Sequence, residues 1–193
     1  MYLLIDIGNT RIKWQQCNEN GIELTDSIPV EEFMDIDLST IKSVEKIIIS
    51  NVNHPIVLDK LKNLLSKFKC PIIEATSDSN AYLINDYEDS KLLGVDRWVA
   101  ALGAWKLYQR PLIIINAGTA VTIDLIDLDQ KNKAHFKGGM ILPGIAISLG
   151  ILNNSTNLID TEIGQSHYPS LNTKDAVTTG IMTSIQGAVN LVC

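Results

Sequence analysis

The amino terminus carries an apolar run that stops abruptly at a carboxylate and a glycine. Residues 2–5 are β-prone, Asp6-Ile7-Gly8-Asn9-Thr10 follows, and Arg11-Ile12-Lys13-Trp14 then alternates between polar and apolar side chains. This pattern predicts a strand, a tight turn and a second strand. An ordinary hairpin with an asparagine-containing turn fits the stretch as well as a functional hairpin does.

The turn of this hairpin has the chemistry of a phosphate site. Glycine at position 8 lets a ligand approach the backbone closely. Asn9, Thr10 and the N–H groups of the turn can donate hydrogen bonds to phosphate oxygens. Asp6, at the end of the first strand, can hold a metal ion or its water. The functional alternative is therefore a site for a metal-bound phosphate.

The composition excludes several classes of partner. With 193 residues, 46% of them hydrophobic, the chain is long and apolar enough for one or two domains with buried cores. The net charge is −6, the isoelectric point is about 5.0, and no block of basic residues occurs. Nucleic acid and anionic membranes are therefore not expected as partners. A phosphate-bearing ligand needs local donors or a cation.

The chain is expected to be cytoplasmic. Its opening apolar stretch meets Asp6 too early for a signal peptide, and no apolar run approaches the roughly 20 residues of a membrane helix. Cys17, Cys70 and Cys193 are far apart and lack metal-site spacing. We therefore expect incidental thiols rather than disulfides or zinc ligands.

The remaining pattern alternates strands with helices, which is typical of an α/β fold. A β-branched run at 46–52 and apolar residues at helical spacing over 56–69 predict a strand and its crossover helix. Further strands are predicted at 71–74, 112–115, 121–125 and 135–142, and further helices at about 95–110, 145–153 and 175–193. A surface loop or short helix is expected at 31–39, and irregular chain at 80–91.

A second strand, turn and strand follows later in the chain. Residues 112–115 are apolar, Asn116-Ala117-Gly118-Thr119-Ala120 comes next, and 121–125 alternate. The recurrence indicates a duplicated fold. Two glycine turns with hydroxyl and amide donors are then expected to flank one cleft, an arrangement suited to a polyphosphate. Turns of glycine and threonine between strands are common, so coincidence is the alternative.

Asp96 and Arg97 form the third candidate feature. They lie where a long helix is predicted to begin, with Trp98, Leu102 and Trp105 on one face. The guanidinium and the helix dipole favour the carboxylate form of Asp96, which suits a residue that orients an alcohol for phosphoryl transfer. Arg97 can bind a carboxylate or a phosphoryl group through two hydrogen bonds. The alternative is a helix cap with a surface salt bridge.

Four motifs occur in an order and spacing that resemble those of the type III pantothenate kinases, which belong to the actin-like and sugar-kinase-like ATPase superfamily. They are Asp6-Ile7-Gly8-Asn9-Thr10, Gly94-Val95-Asp96-Arg97, residues 116–124 and residues 138–144. Each motif alone is weak evidence for the family, whereas four motifs in the family's order and spacing are specific to it. The resemblance extends from the first residue to about Gly180.

The resemblance implies ATP-dependent phosphorylation of the terminal hydroxyl of pantothenate to 4'-phosphopantothenate, the first step of coenzyme A biosynthesis. It also implies an α/β fold of two ribonuclease-H-like halves, with mixed sheets flanked by helices, as well as Mg²⁺ bound with ATP and a homodimer. The halves are expected at residues 1–110 and 111–193. The second half is expected to be shorter than in the family, because the sequence stops inside a helical pattern.

The resemblance also implies roles for individual residues. Asp6, Ile7, Gly8, Asn9, Thr10, Arg11, Ile12 and Lys13 match the first phosphate-binding segment, with Asp6 holding Mg²⁺ through water, and Gly118 and Thr119 match the second. Asp96 matches the catalytic base. The residues that match the pantothenate pocket are Tyr87, Gly94, Val95, Asp96, Arg97 and Thr173, the last reaching across the dimer interface. Loop packing is the alternative for Tyr87, and a helix cap before Asp175 is the alternative for Thr173.

One position departs from the family pattern. The family usually has aspartate where this chain has Asn116, at a position associated with a monovalent cation, K⁺ or NH₄⁺, beside the nucleotide phosphates. An amide oxygen still coordinates a cation but lacks the negative charge, so weaker cation binding is expected. A non-catalytic relative that binds nucleotide or pantothenate is the alternative to an active kinase.

Overall fold

A computed structural model describes residues 1–41, 43–155 and 162–192. The strands are β1 (Tyr2–Ile7), β2 (Arg11–Asn18), β3 (Gly21–Pro29), β4 (Lys46–Asn51), β5 (Ile72–Glu74), β6 (Ile84–Asn85), β7 (Leu112–Ala117), β8 (Ala120–Leu128) and β9 (Ala134–Pro143). The helices are α1 (Pro55–Leu65), α2 (Val95–Tyr108), α3 (Ile145–Ser155) and α4 (Thr173–Val192), with short 3₁₀ helices at Val30–Asp35, Ser66–Phe68 and Ser90–Leu92. None of these described helices is both long and apolar enough to cross a membrane.

The chain divides into two compact units, each with its own sheet. The first comprises Met1–Ser79 with Glu88–Ala100, and the second comprises Asn80–Tyr87 with Ala101–Cys193. The division therefore falls within α2. The assignment of functional halves to residues 1–110 and 111–193 stays a prediction.

The sheet of the first unit has the strand order β3-β2-β1-β4-β5. Strands β1, β2 and β3 form an antiparallel meander, whereas β4 is parallel to β1 and β5 is parallel to β4. Helix α1 is the crossover between β4 and β5, and its predicted apolar stripe is buried at Val57, Leu58, Leu61 and Leu65. The ring of His54 caps the helix by accepting a hydrogen bond from the Ile56 N–H.

The core of this unit is built by alternation along its strands. Ile5 and Ile7 of β1 are buried, as are Ile47 and Ile49 of the neighbouring β4. Successive side chains of a strand point to opposite faces of the sheet. Asp6, between Ile5 and Ile7, therefore points to the face opposite these core residues.

The sheet of the second unit has the order β6-β9-β8-β7. Strands β7, β8 and β9 form a second antiparallel meander, and β6 is parallel to β9. This confirms the predicted α/β class with two mixed sheets and a repeated strand, turn and strand. The two turns differ in length, because the pair Ile7 and Ile12 encloses four residues, whereas Ala117 and Val121 enclose three.

The sequence pattern does not predict β3 or β6. Strand β3 is exposed along much of its length, with Ile22 62% exposed, so it lacks the alternation of a half-buried strand. Strand β6 has only two residues and lies where irregular chain was expected. Cys17 and Cys70 are free thiols. The last predicted helix is present as α4, and its expected end at Cys193 lies outside the described residues.

Candidate functional site

The end of β1 presents a row of polar side chains across three neighbouring strands. Asp6 pairs in register with Lys13 of β2 and with Ser50 of β4. Side chains at the same register point to the same face of a sheet. A carboxylate, an ammonium group and a hydroxyl therefore lie together beside the Gly8 turn.

Asp6 occupies a partly desolvated position. Burial raises the pKa of its carboxyl above the ordinary value, Lys13 and Ser50 lower that pKa, and the charge of Asp96 raises it. Asp6 and Asp96 are therefore near enough to repel each other. Positive charge bound beside them would relieve this repulsion.

The turn after β1 is closed by its own backbone and braced by a neighbouring loop. The Gly8 N–H donates to the Arg11 carbonyl at 3.0 Å, and a Cβ at Gly8 would lie 3.1 Å from that oxygen. Asn53, in the loop between β4 and α1, donates its Nδ2 to the Gly8 carbonyl at 2.9 Å. Asn9 and Thr10 form the exposed tip of the turn.

Three residues of the predicted phosphate segment have their side chains engaged elsewhere. Ile7 and Ile12 are 0% exposed, so only their backbone is available to a ligand. The Arg11 guanidinium donates to the Ser27 hydroxyl of β3 at 2.7 Å and to the Ser27 carbonyl at 3.1 Å. The groups of this segment that remain exposed to a ligand are therefore those of the turn itself and the Asp6–Lys13 pair.

Asp96 lies in the first turn of α2, as predicted. Its Oδ1 accepts a hydrogen bond from the Arg97 N–H at 2.8 Å, and a Cβ at Gly94 would lie 2.6 Å from the same oxygen. Glycine at position 94 therefore gives the carboxylate room at the start of the helix. Arg97 is only 5% exposed, which does not fit the surface position that the salt bridge of the alternative interpretation requires.

In the second unit, the turn between β7 and β8 packs against the residue that follows β9. The Gly144 N–H donates to the Thr119 carbonyl at 3.0 Å. A Cβ at Gly144 would lie 2.1 Å from the Gly118 carbonyl oxygen and 2.6 Å from that of Thr119. The predicted second phosphate turn therefore depends on glycine at position 144 for its shape.

Asn116 holds in the second unit the place that Asp6 holds in the first. Each is the next-to-last residue of the first strand of its meander. Asn116 pairs in register with Thr122 and donates its Nδ2 to the Thr122 Oγ1 at 3.3 Å. The Oδ1 atom of the Asn116 amide is therefore the atom that could coordinate a cation.

Tyr87 lies on a short segment of the second unit that pairs with β9 and is hydrogen-bonded to it. Its ring centroid is 6.2 Å from that of Phe136, which is the packing contact of the alternative interpretation. The preceding Asp86 lies 2.7 Å from His135 Nδ1 and accepts a hydrogen bond from Lys137 Nζ at 2.7 Å. Burial acts to raise the pKa of Asp86, but these hydrogen bonds outweigh it and hold the pKa below its ordinary value.

Thr173 is the first residue of α4 and is exposed. The helix cap is the residue before it, because Asn172 Oδ1 accepts a hydrogen bond from the Asp175 N–H at 2.9 Å. The alternative that Thr173 is the cap is therefore wrong. Thr173 lines an open depression together with Leu171 and Val177.

The predicted pantothenate residues are divided between the units. Gly94, Val95, Asp96 and Arg97 belong to the first unit, whereas Tyr87 and Thr173 belong to the second. Within the first unit, the structure brings Asp96 near Asp6. The roles of these residues stay predictions.

Whether a divalent metal ion fits this site depends on the ligand side chains that the protein provides. Among the described residues, no three His, Cys, Asp or Glu side chains gather around a common point. Mg²⁺ bound with nucleotides needs no such cluster, because it keeps several waters and takes one or two carboxylates plus phosphate oxygens. The partly buried carboxylate of Asp6, with Asp96 near it, fits that requirement.

Repeated strand, glycine turn and strand units, with two carboxylates near the first turn, are the arrangement expected of an α/β enzyme that binds phosphate groups. The sequence model of the type III pantothenate kinases matches residues 2–193. The chain is 33% identical over 201 residues to the type III pantothenate kinase of Methylobacillus flagellatus, covering 97% of this chain and 75% of that protein. The corresponding protein of Cupriavidus taiwanensis is 32% identical over 223 residues, covering 97% and 78%. This chain belongs to the type III pantothenate kinase family.

A solved structure has a similar fold. It is a conserved Campylobacter jejuni protein assigned to the Baf family of transcriptional activators, with a TM-score of 0.64 and 25% sequence identity. The match covers 99% of this chain and 79% of that one. The similarity therefore extends across both sheets.

Two residues that shape the turns are absent from the predicted site. Asn53 lies two residues after the end of β4, and polar residues at the carboxyl end of a buried strand are the signal that could have indicated it. Gly144 lies in one of the family motifs. No sequence spacing indicates that it contacts Gly118 and Thr119, because that contact is made only when β9 folds beside β8.

Proposed function

We propose that this chain transfers the γ-phosphoryl group of ATP to the terminal hydroxyl of pantothenate, giving 4'-phosphopantothenate and ADP, the first step of coenzyme A biosynthesis. Membership of the type III pantothenate kinase family over residues 2–193 carries this proposal. In the reaction the hydroxyl oxygen forms a bond to the γ-phosphorus, and the bond to the β,γ-bridging oxygen breaks. The hydroxyl proton passes to Asp96.

Asp96 is the residue that orients the hydroxyl. Phosphoryl transfer passes through a loose transition state with little covalent chemistry for the protein to perform, so positioning contributes most of the catalysis. The position of Asp96 is defined by its hydrogen bond from the Arg97 N–H and by the space that Gly94 leaves. Asp96 therefore has a fixed carboxylate in the first turn of α2.

Asp6 and the Gly8 turn bind the triphosphate end of ATP together with Mg²⁺. When bound, the ion neutralises charge on the phosphate oxygens. The exposed turn donates backbone and side-chain hydrogen bonds, and Lys13 adds a positive charge opposite Asp6. Gly118 and Thr119 form the corresponding turn of the second unit, between β7 and β8.

Pantothenate is bound by Tyr87, by Gly94 to Arg97, and by Thr173 of a partner subunit in a homodimer. The support for the dimer lies in α4, where residues 176–192 carry no charged side chain and most are exposed or half-buried. Surfaces depleted in charge are typical of the centres of protein interfaces. Sedimentation equilibrium of the protein measures this association directly.

A coupled assay of ADP formation, with and without pantothenate, tests the reaction. Pantothenate-dependent turnover of ATP with Mg²⁺ is the expected result. Binding of ATP or pantothenate in a calorimeter without any turnover, at high Mg²⁺ and K⁺, would instead favour a non-catalytic relative. Asn116 is the observation that motivates this second candidate, because it removes a charge that the family usually has.

Replacing Asn116 by aspartate should strengthen activation by K⁺. The half-saturating K⁺ concentration should fall by at least roughly tenfold, because a unit charge beside the cation contributes more than about 1.4 kcal/mol at short range. The measurement is a KCl titration of kinase activity at constant ionic strength. Asn132→Asp makes the same change in the turn between β8 and β9 and should leave the K⁺ response unaltered. Identical responses of wild type and Asn116→Asp would contradict a cation site here.

A further inference from the structure

The loop between β4 and α1 is hydrogen-bonded to the backbone of the Gly8 turn. Asn53 Nδ2 donates to the Gly8 carbonyl at 2.9 Å, and Asn53 Oδ1 accepts from the His54 N–H at 2.7 Å. One partner is a backbone carbonyl, which can only accept, and the other is a backbone N–H, which can only donate. Together they define which atom of the Asn53 amide is nitrogen and which is oxygen. The Asn53 side chain is therefore held by hydrogen bonds at both of its polar atoms.

The loop that carries Asn53 is itself fixed. Asn51 Oδ1 accepts from the Asn53 N–H at 3.0 Å, and Asn51 Nδ2 donates to the Asn53 carbonyl at 3.2 Å. The Val52 N–H donates to the Ile7 carbonyl at 3.0 Å, immediately before the turn. Asn53 is thus a rigid donor rather than a mobile surface side chain.

Holding the Gly8 carbonyl also fixes the next N–H group. The peptide bond between Gly8 and Asn9 is planar and trans, so its C=O and N–H point in opposite directions. With the carbonyl directed at Asn53, the Asn9 N–H is directed away from the loop. Within the part of the chain that the structure describes, this N–H has no protein acceptor, and Asn9 is exposed.

We infer that Asn53 is a positioning residue for nucleotide binding: it holds the Gly8–Asn9 peptide so that the Asn9 N–H faces the phosphate oxygens of ATP. The inference rests on the proposed function of the Gly8 turn. Asn53 contacts the Gly8 carbonyl and acts through the Gly8–Asn9 peptide bond rather than on the substrate. It therefore tunes the affinity for the triphosphate and not the affinity for pantothenate.

Asn53→Asp tests this role, since it preserves the shape of the side chain but replaces the donor with a charged oxygen facing the Gly8 carbonyl. The KM for ATP should rise by roughly tenfold or more, because a hydrogen bond is lost and an unfavourable contact replaces it. The KM for pantothenate and kcat at saturating ATP should change by less than about twofold. The matched control is Asn20→Asp in the turn between β2 and β3, at the opposite end of the first hairpin, which should change neither KM.

A second measurement is independent of turnover. In ¹⁵N-labelled wild-type protein the Asn9 amide resonance should shift when the non-hydrolysable analogue AMP-PNP is added with Mg²⁺, and in Asn53→Asp the same shift should need roughly tenfold more analogue. Asn53→Ala replaces Asn53→Asp in both measurements if the charged variant does not fold.

The outcomes separate this inference from the proposed function. An unchanged KM for ATP, or an unchanged analogue titration of the Asn9 amide, would overturn the role of Asn53. A lowered melting temperature with equal changes in both KM values would overturn it too, because it indicates a purely structural residue. If the wild-type protein binds AMP-PNP as expected but never phosphorylates pantothenate, the proposed function fails while the role of Asn53 stands.

Discussion

Asp96→Asn should lower kcat for pantothenate phosphorylation by about 10²- to 10⁴-fold, the usual contribution of a positioned general base. The amide has nearly the same shape and can still accept the Arg97 N–H hydrogen bond, but it cannot take the hydroxyl proton. The KM values for ATP and pantothenate should stay within a few-fold of wild type. Steady-state kinetics and a melting curve measure both effects.

The same substitution has a second, electrostatic consequence. The charge of Asp96 is one of the causes that raise the pKa of Asp6, after burial, so the pKa of Asp6 should fall in Asp96→Asn. Carbon-13 NMR of the Asp6 carboxyl measures this shift. Asp59→Asn, on the exposed face of α1, makes the same change away from the site and should leave both kcat and the pKa of Asp6 unaltered. Near wild-type kcat in Asp96→Asn would remove Asp96 from the mechanism.

The sequence predicts the elements whose side chains repeat with a clear period. The first hairpin and the strand and helix over residues 46–69 are confirmed, because each buries one face of its element. The second strand, turn and strand is also confirmed, from its apolar and β-branched runs on either side of a glycine turn. Strand β3 was missed because it lies at the sheet edge with Ile22 62% exposed. Two-residue β6 exists only through its pairing with β9, which no local pattern reveals.

Site residues were predictable where their chemistry is carried by their own side chain. Asp6 and Asp96 could be proposed from residue type and position alone. Their mutual repulsion could not, because it arises from bringing the end of β1 near the start of α2. The burial of Arg97 likewise depends on tertiary packing, and from the sequence a helix cap with a surface salt bridge was the alternative. Asn53 donates to a backbone carbonyl 45 residues away in sequence, so this contact is visible only in the fold.

Gly144→Ala should disrupt the turn between β7 and β8, although Gly144 is distant from that turn in sequence. The added Cβ would lie 2.1 Å from the Gly118 carbonyl oxygen and 2.6 Å from that of Thr119, so one backbone segment must move. Overpacking of this kind typically costs about 1–3 kcal/mol of stability. Misplacement of a binding turn by about 1 Å can cost about 10²-fold in rate, so kcat/KM for ATP should fall by up to that factor. Urea unfolding and initial-rate kinetics measure the two losses.

Gly150→Ala is the matched control, because it adds the same methyl group inside α3 where nothing lies within 4 Å. It should leave kcat/KM unchanged and stabilise the protein by about 0.5–1 kcal/mol, since alanine favours a helix interior over glycine. A Gly144→Ala protein as stable and as active as Gly150→Ala would show that the turn holding Thr119 adapts freely. The close packing of Gly144 would then play no part in binding ATP.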